Sequence, residues 1–293
     1  MALGTTTIED IVAHDAAALE KDLASIRPDG QLTLPGVPQI VTRLQQMLSD
    51  PEVGIPQLVP VINYEPILVG RVLQMANSAV LNPTRKPITD LRTGVTRVGF
   101  DLLRSAALAY ALRQVSQAHS VKDIRPHLEA LWERSAWTAA VSFVIARKFT
   151  NLNRDVAFLG GLMHGVGKLF ILMRAAHYPF VLRDRAKYTA IQRKWHSKFA
   201  KTILSGWRIH DPVIQAVMRY EDLNREVVGE EPDLTDILAA SYLVVGHTGR
   251  MHDLSMTVER IASFSRLRLD IRAIEEALET AKEEIEDLRM AIK

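Results

Sequence analysis

The stretch Gly160-Gly161-Leu162-Met163-His164-Gly165-Val166-Gly167-Lys168 decides the fold of this chain. It lies inside the run 156–173, the most apolar part of the sequence. Asp155 precedes the run, and a negative charge in the first turn stabilises a helix through the helix dipole. We therefore predict a central core helix over residues 156–173.

The composition is that of an ordinary globular protein, with 293 residues, 47% hydrophobic, 24% charged and a net charge of +2. There is no cysteine, which excludes disulfides and thiolate metal sites. Residues 1–22 carry charges throughout and do not resemble a signal peptide. No stretch is expected to supply the roughly 20 uncharged apolar residues that span a bilayer. We predict a cytoplasmic location without a membrane partner.

Helical spacing of apolar residues recurs along the chain, whereas almost no stretch alternates with period two, so we predict an all-α fold. The other predicted helices are 8–26, a helix beginning at Pro38, 56–62, 67–79, 91–111, 126–149, 188–207, 213–220 and 234–245. Gly94 and Gly99 lie inside one of them, and glycine inside a helix indicates close packing or a local break.

The C-terminal segment has a heptad pattern, because apolar residues recur at alternating steps of three and four. These residues are Ile271, Ile274, Leu278, Ala281, Ile285, Leu288 and Ile292. The pattern covers about three repeats. It fits two arrangements equally well: a coiled coil with a second copy, giving a homodimer, or a long helix that packs back on its own domain.

Five short motifs occur in order between residues 34 and 112. They are Leu34-Pro35-Gly36-Val37-Pro38, Asp50-Pro51, Glu65-Pro66, Met75-Ala76-Asn77-Ser78 and Thr96-Arg97-Val98-Gly99-Phe100. Together they resemble the N-terminal half of an HDOD domain, although Glu65 stands where the family usually has Asp and Val98 where it has Leu. Residues 131–245 resemble the second half, which descends from the HD phosphohydrolase superfamily.

The resemblance implies an HDOD-like helical bundle in two lobes, within a stand-alone bacterial protein. The lobes would be 31–125 and 126–250, together an HDOD domain over 31–250. An N-terminal helical extension would cover 1–30 and a C-terminal helical extension 251–293. HDOD domains are usually non-catalytic relatives of cyclic-dinucleotide (HD-GYP) phosphodiesterases, so the resemblance also implies a regulatory role in bacterial signalling.

The metal ligands of HD hydrolases, carried over by the resemblance, are largely replaced. Arg134 stands in the place of the first His, and the His-Asp pair reads His164-Gly165. The final Asp becomes Ser241, while a later His survives as His196. Tyr220-Glu221 stands for a His-His pair. Two imidazoles beside a permanently charged guanidinium make a poor site for a divalent cation, so we predict no metal, no cofactor and no catalysis.

The remnant of the site has two interpretations. Arg134, His164, Lys168 and His196 could line a cationic pocket for a phosphate or a nucleotide. Alternatively His164 is a hydrogen-bonded core histidine, Arg134 pairs with a carboxylate, Lys168 is exposed at a helix end, and His196 lies on an amphipathic face. We favour the second interpretation for both histidines.

Two surface hypotheses remain. Arg92, Arg97 and Arg104 could form a partner surface with Asn77 and Ser78, although Asn77 is also suited to capping or turning a helix. Residues 181–220 hold nine basic residues against two acidic ones. We interpret them as a solvated face, partly neutralised by the acidic residues in 221–236, and we consider a nucleic-acid partner unlikely.

The leading functional prediction is a non-enzymatic regulatory module that binds signalling proteins, such as GGDEF, EAL, HD-GYP, receiver or kinase proteins. The first alternative is an atypical metal-dependent phosphohydrolase or cyclic-dinucleotide phosphodiesterase that uses His164 and His196. The second is a nucleotide sensor that binds its ligand in the vestigial cleft without turnover.

Overall fold

The computed structural model describes residues 7–26, 32, 34, 36–117, 119–225, 231–256, 258 and 261–292. Its α-helices are α1 (Ile8–Ser25), α2 (Gln39–Met47), α3 (Ile55–Ile62), α4 (Pro66–Ala76), α5 (Leu91–Gln117), α6 (Arg125–Phe149), α7 (Arg154–Met163), α8 (Val166–Ala175), α9 (Arg185–Gly206), α10 (Asp211–Arg219), α11 (Leu234–Gly246), α12 (Met251–Ser255), α13 (Ala262–Arg266), α14 (Ile271–Thr280) and α15 (Lys282–Ile292). Short 3-10 turns span His119–Ile124 and Pro179–Arg183. The described ranges contain no strand, which confirms the predicted all-α fold.

The first lobe contains α2 to α5. Pro66 begins α4, where its missing N–H has no intrahelical acceptor to lose. Gly94 lets α4 approach α5 closely, since a Cβ there would lie 3.2 Å from a methyl of Leu73. α5 bends at Gly99, whose φ of 77° and ψ of 172° suit glycine alone. The two glycines therefore serve the two purposes predicted for them, close packing and a break.

Two glycines of the central stretch set the helix crossings of the second lobe. A Cβ on Gly161 in α7 would lie 2.5 Å from Cα of Ala139 in α6. A Cβ on Gly167 in α8 would overlap the carbonyl oxygen of His196 in α9. Neither position has room for any side chain, so α6 and α9 pack directly against the backbone of the central stretch.

The predicted single helix over 156–173 is two consecutive helices. α7 ends at Met163 and α8 begins at Val166, with His164 (φ −57°, ψ −30°) and Gly165 (φ −88°, ψ 0°) between them. By length and composition residues 154–175 could cross a membrane, contrary to our expectation that no stretch could. However, 83% of their most apolar window is buried inside the protein, so this run forms the core of the fold.

The predicted N-terminal helix is confirmed as α1, which begins with a capping box between Thr7 and Asp10. Asp22 of α1 accepts two hydrogen bonds from Arg174 of α8, at 2.6 and 2.7 Å. α1 also contacts α9, so it is packed on the second lobe. Residues 1–6 and 27–30 of the predicted extension lie outside the described residues.

The predicted C-terminal helical segment is present as α14 and α15, which meet at Ala281 (φ −96°, ψ 13°). α15 contacts α4 and α5 of the first lobe and α6 of the second, and Leu288 and Ile292 are fully buried. Asp287 accepts a hydrogen bond of 2.8 Å from the backbone N–H of Ala79.

The heptad residues therefore pack on the chain's own helices, which is the second of the two arrangements that the pattern allowed. A coiled coil with a second copy would need the same apolar residues on the surface, and most of them are already covered. Polar contacts at the rim support this arrangement: Arg85 pairs with Glu283 at 2.7 Å, and Arg147 pairs with Glu284.

Candidate functional site

His164 and Lys168 are one helical turn apart in the central stretch, so their side chains leave it on the same side. Both are buried, with 1% and 9% of their surfaces exposed. The Nδ1 atom of His164 lies 2.7 Å from the carbonyl oxygen of Gly161, which can only accept. Nδ1 therefore carries the proton, and Nε2 has a free lone pair with no hydrogen-bond partner in the described structure.

Lys168 is neutralised by Glu221, the second residue after α10. The Nζ atom of Lys168 lies 2.5 Å from Oε1 of Glu221, while Oε2 lies 3.0 Å from Nε2 of His196 in α9. One carboxylate thus joins α8, α9 and the end of α10. Ser197 adds a link between the same elements, since its hydroxyl donates to the carbonyl of Met218 at 2.8 Å.

Two tyrosines fill the space around the histidines. The ring of Tyr220 is fully buried and packs edge-on against His164 at 5.3 Å and His196 at 5.8 Å between centroids. Tyr242 packs against Tyr220 at 4.8 Å. The guanidinium carbon of Arg134 lies 4.3 Å above the centre of the Tyr242 ring, a cation–π geometry. The cleft is therefore occupied by the protein's own side chains.

The protonation states follow from burial and from the nearby cations. Burial, reinforced by the charge of Lys168, lowers the pKa of His164 to about 3, so its imidazole is neutral. Burial alone would raise the pKa of Glu221. The hydrogen bond from His196 and the charge of Lys168 outweigh this effect and hold that pKa well below its usual range. Burial raises the pKa of Tyr220 far above 10, so the phenol stays protonated.

The donor set does not fit the divalent cation that HD hydrolases use. A Cβ on Gly165 would lie 2.9 Å from a methyl of Leu131 and 3.1 Å from Oγ of Ser135, so α6 occupies the place of a carboxylate. Ser241 donates its hydroxyl to the carbonyl of Ile237 at 2.7 Å. Among the described residues no three His, Asp or Glu side chains are grouped to hold a metal ion. Arg134 adds a permanent positive charge beside the cleft.

Little space remains near Gly165. The cavity there measures about 20 Å³ and is lined mainly by apolar side chains, among them Leu131 and Val166. That is room for about one water molecule. A phosphate bound by Lys168 would have to displace Glu221, so the predicted cationic pocket is largely filled and neutralised from within.

The four predicted cleft residues, Arg134, His164, Lys168 and His196, do come together. The core interpretation of His164 is confirmed by its hydrogen bond and burial. The interpretation of Lys168 as exposed at a helix end is wrong, because its side chain is buried. His196 lies on the buried face of α9. Arg134 stacks on the Tyr242 ring, and the predicted pairing with a carboxylate is not found among the described residues.

Three residues that hold the cleft together were not predicted from the sequence to do so: Glu221, Tyr220 and Tyr242. The resemblance to HD hydrolases places Tyr220 and Glu221 at the position of a His-His pair. A carboxylate at that position is a signal that could have identified the partner of Lys168. Tyr242 directly follows the replaced position Ser241, but nothing in the sequence marks it as a ring beneath Arg134.

The residues predicted to form a partner surface do not form one face. Arg92 and Arg97 are exposed on α5. Asn77 has a turn role: its amide donates to the carbonyls of Leu73 and Ile88 and accepts from the N–H of Ile88, each at 2.8 Å.

The predicted surface is wrong for Ser78 and Arg104, because both are buried, with only 3% and 2% of their surfaces exposed. Arg104 donates to the carbonyl oxygen of Leu48 at 2.6 Å. It thereby joins α5 to the end of α2 and is not available to a partner protein.

The basic residues of 181–220 have partners other than those expected. Lys187 pairs with Asp184 at 2.7 Å and Lys194 with Glu20 at 2.9 Å. Among the described acids of 221–236, Glu221 pairs with Lys168, Asp233 with Arg225, and Asp236 with Arg225 and Arg266. Direct ion pairs between this segment and the lysines and arginines of 181–220 are therefore not seen among the described residues.

Several known proteins are similar to this chain. A protein of Treponema pallidum (strain Nichols) with no assigned function is 22% identical over 228 residues, which are 72% of this chain and 42% of that protein. The chain thus spans less than half the length of that relative.

Two solved structures share the fold. One, from Shewanella amazonensis and provisionally named a metal-dependent phosphohydrolase, has a TM-score of 0.70 at 21% identity and covers 97% of this chain and 99% of its own. The other, provisionally named a signal transduction protein, comes from Marinobacter aquaeolei. It has a TM-score of 0.58 at 18% identity and covers 98% of this chain and 67% of its own. The HDOD domain family matches residues 34–223, well over half of the sequence, and the chain belongs to that family.

Proposed function

We propose that this chain is a non-enzymatic regulatory module that binds other signalling proteins in the bacterial cytoplasm. The observation that carries the proposal is the Lys168–Glu221–His196 cluster, which occupies the cleft where HD hydrolases bind their metal. The ammonium of Lys168 and the imidazole of His196 hold the carboxylate of Glu221 in a structural role. A protein that does not use the cleft for catalysis loses no function when this cluster fills it.

The proposed partners are GGDEF, EAL, HD-GYP, receiver or kinase proteins encoded near this one. Support comes from membership of the HDOD family and from the name of the similar Marinobacter protein. For the contact surface we propose two exposed patches, one at the start of α4 and one at the start of α5. Tyr64 and Ile67 are 83% and 52% exposed in the first patch, and Arg92 and Arg97 are exposed in the second. Large exposed apolar residues with arginine are typical of partner sites.

Affinity purification of the tagged full chain from its own host, followed by two-hybrid tests of each recovered signalling protein, tests the proposal. The variants are Tyr64→Ser with Ile67→Ser, and Arg92→Glu with Arg97→Glu. Met256 is 73% exposed elsewhere, so Met256→Ser is the control. We expect the paired variants to lose a partner that the control retains. Recovery of no signalling protein, or of the same proteins with every variant, contradicts the proposal.

One observation favours the competing enzyme hypothesis, the free Nε2 lone pair of His164. A structurally similar protein also carries a provisional phosphohydrolase name. Hydrolysis of cyclic-di-GMP and of bis(p-nitrophenyl) phosphate, with Mn²⁺, Fe²⁺ or Zn²⁺ supplied, separates the two functions. Turnover that His164→Ala abolishes would favour the enzyme.

A further inference from the structure

A cavity separate from the vestigial cleft lies between the C-terminal helices and the second lobe. It is bounded by α6, by α11 with the turn that leads into α12, and by α14 with the first half of α15. The chain is described without a gap through each of these walls. The volume is about 710 Å³, within the roughly 300–1,000 Å³ that is usual for small-molecule sites. Neither the regulatory proposal nor the ancestral metal chemistry gives this cavity a role.

The way the C-terminal helices pack explains where the cavity lies. α14 and α15 pack on α6 through an apolar cluster that is separate from the main core and is built mostly from small side chains. Its buried members are Ala140, Val144, Ala277, Ala281 and Ile285. α11 packs on α6 as well. The cavity is the space left between α11 and α14 beside the helix that they share.

The interior of the cavity is apolar and accessible. Trp137, Val245, Met251 and Leu278 line it, and each is half-buried, so part of each side chain is open to a ligand. An indole ring and a flexible thioether adapt to apolar molecules of many shapes. Removing these surfaces from water would favour the binding of an apolar body.

The charged residues at the rim are mostly acidic. Glu275, Glu279 and Glu286 line the cavity, and Lys282 is the cation among its described lining residues. Glu286 is engaged by the buried Arg289. Glu279 contacts Lys282 at 3.2 Å, but the two side chains are 77% and 75% exposed, so this pair is weak. Glu275 is exposed and makes no ion pair in the described structure.

Glu275 and Glu279 are one helical turn apart on α14, so their carboxylates lie on the same side of the helix. Like charges at this spacing repel each other and destabilise the helix, and a bound cation would relieve that repulsion. The same potential disfavours an anion. The cavity therefore combines an apolar interior with a negative rim.

We propose that this cavity binds a small amphipathic cation, an organic amine with an apolar body. The body would lie against Trp137 and Leu278, and the ammonium would lie beside Glu275 and Glu279. A helix of a partner protein fits less well, because a helix with its side chains is about 10–12 Å across and the cavity would hold no more than about two turns of it. The site does not rest on the proposed function, since a ligand can bind here whether or not a signalling protein binds elsewhere.

Isothermal titration of the purified full chain with octylamine, octanol and octanoate, at neutral pH and one ionic strength, tests this site. The three probes share one apolar chain and differ in charge, because the amine is protonated and the carboxylate ionised at this pH. We expect octylamine to bind about fivefold or more tightly than octanol, and octanoate to bind most weakly.

Two cavity variants separate the contributions of charge and apolar surface. Glu275→Gln with Glu279→Gln should abolish the preference for the amine and leave octanol binding unchanged. Leu278→Asn should weaken octylamine and octanol alike. Glu276→Gln with Glu283→Gln removes two exposed acids of the same helices outside the cavity, so this matched control should keep the preference. Circular dichroism checks that each variant is folded.

Several results would overturn the proposal. They are the absence of octylamine binding, octanol or octanoate binding as tight as that of the amine, and a preference that survives in the cavity charge variant or is lost equally in the control. A leucine–lysine helical peptide provides the last comparison. If that peptide binds, octylamine does not, and Leu278→Asn removes the peptide binding, the cavity would serve a protein partner instead of a small molecule.

Discussion

The Nζ atom of Lys168 lies 2.5 Å from Oε1 of Glu221, inside a cleft where both side chains are largely buried. The second carboxylate oxygen of Glu221 contacts Nε2 of His196 at 3.0 Å. This relationship ties together α8, α9 and the end of α10. The cluster therefore contributes to the stability of the fold.

Removing the carboxylate of Glu221 is expected to leave Lys168 buried without its counter-ion. The variant Glu221→Gln should lose about 3 kcal/mol of unfolding free energy, the low end of the range for breaking a buried pair. Urea unfolding followed by circular dichroism measures the loss. The double variant Lys168→Met with Glu221→Gln should recover most of it. Equal stability of wild type and Glu221→Gln would show that the pair contributes nothing.

The free energy of unfolding is expected to decrease as the pH falls, because folding lowers the pKa of His164. Its pKa is lowered from 6.5 to about 3 by burial, so between these values the unfolded chain binds a proton that the folded chain does not. The unfolding free energy should therefore decrease as pH falls below 6.5, by up to about 1.4 kcal/mol per pH unit. The lowered pKa of Glu221 adds a loss in the same direction below about 4.5.

Urea unfolding at several values between pH 6.5 and 5 checks this dependence. The variant His164→Gln removes the titrating group, and its slope over this window should be flatter than that of the wild type by up to about one proton. His252 is exposed, so His252→Gln serves as the surface control. An identical slope in wild type and His164→Gln would contradict the assignment.

Two adjacent glycines of α7 should respond oppositely to the same substitution. Gly161→Ala places a methyl 2.5 Å from the backbone of Ala139, so we expect a loss of about 1–3 kcal/mol or more from overpacking. Gly160 has only a methyl of Leu234 nearby, at 3.9 Å, so Gly160→Ala should stabilise the helix by up to about 1 kcal/mol. Thermal unfolding of the two variants measures both effects. Equal changes in melting temperature would contradict the close crossing of α6 and α7.

Truncating a seam residue of the C-terminal helices should lower stability without changing the oligomeric state. Leu288 is fully buried, so Leu288→Ala should lose about 2–5 kcal/mol. Met290 is 47% exposed, and Met290→Ala should change stability by less than about 0.5 kcal/mol. Urea midpoints and light scattering over a range of protein concentrations provide the test. A midpoint that rises with concentration would indicate a seam shared between two copies.

Most of the fold could be predicted because local sequence patterns determine where the helices lie. The apolar periodicity located nearly every helix, and the prolines and glycines marked their ends and bends. The heptads of 271–292 were left open between two arrangements, because period alone says which face is apolar and not what covers it. The partner is set by long-range contacts such as that between Asp287 and Ala79.

The candidate site could be predicted only in part. The family resemblance located Arg134, His164 and His196, and Lys168 was grouped with them as a nearby cation, but their surroundings depend on residues far apart in sequence. Lys168 and Glu221 are 53 positions apart, and nothing local to either one predicts the ion pair. The same limit explains why Arg104 was assigned to the surface: its burial depends on the end of α2.

The central claim is that the cleft is closed by its own ion pair and holds no catalytic metal. Elemental analysis of the full chain, loaded with Mn²⁺, Fe²⁺ or Zn²⁺ and then desalted, tests it most directly. We predict bound metal far below one ion per chain, unchanged by His164→Ala and His196→Ala. One or two ions per chain, lost in those two variants, would contradict the account.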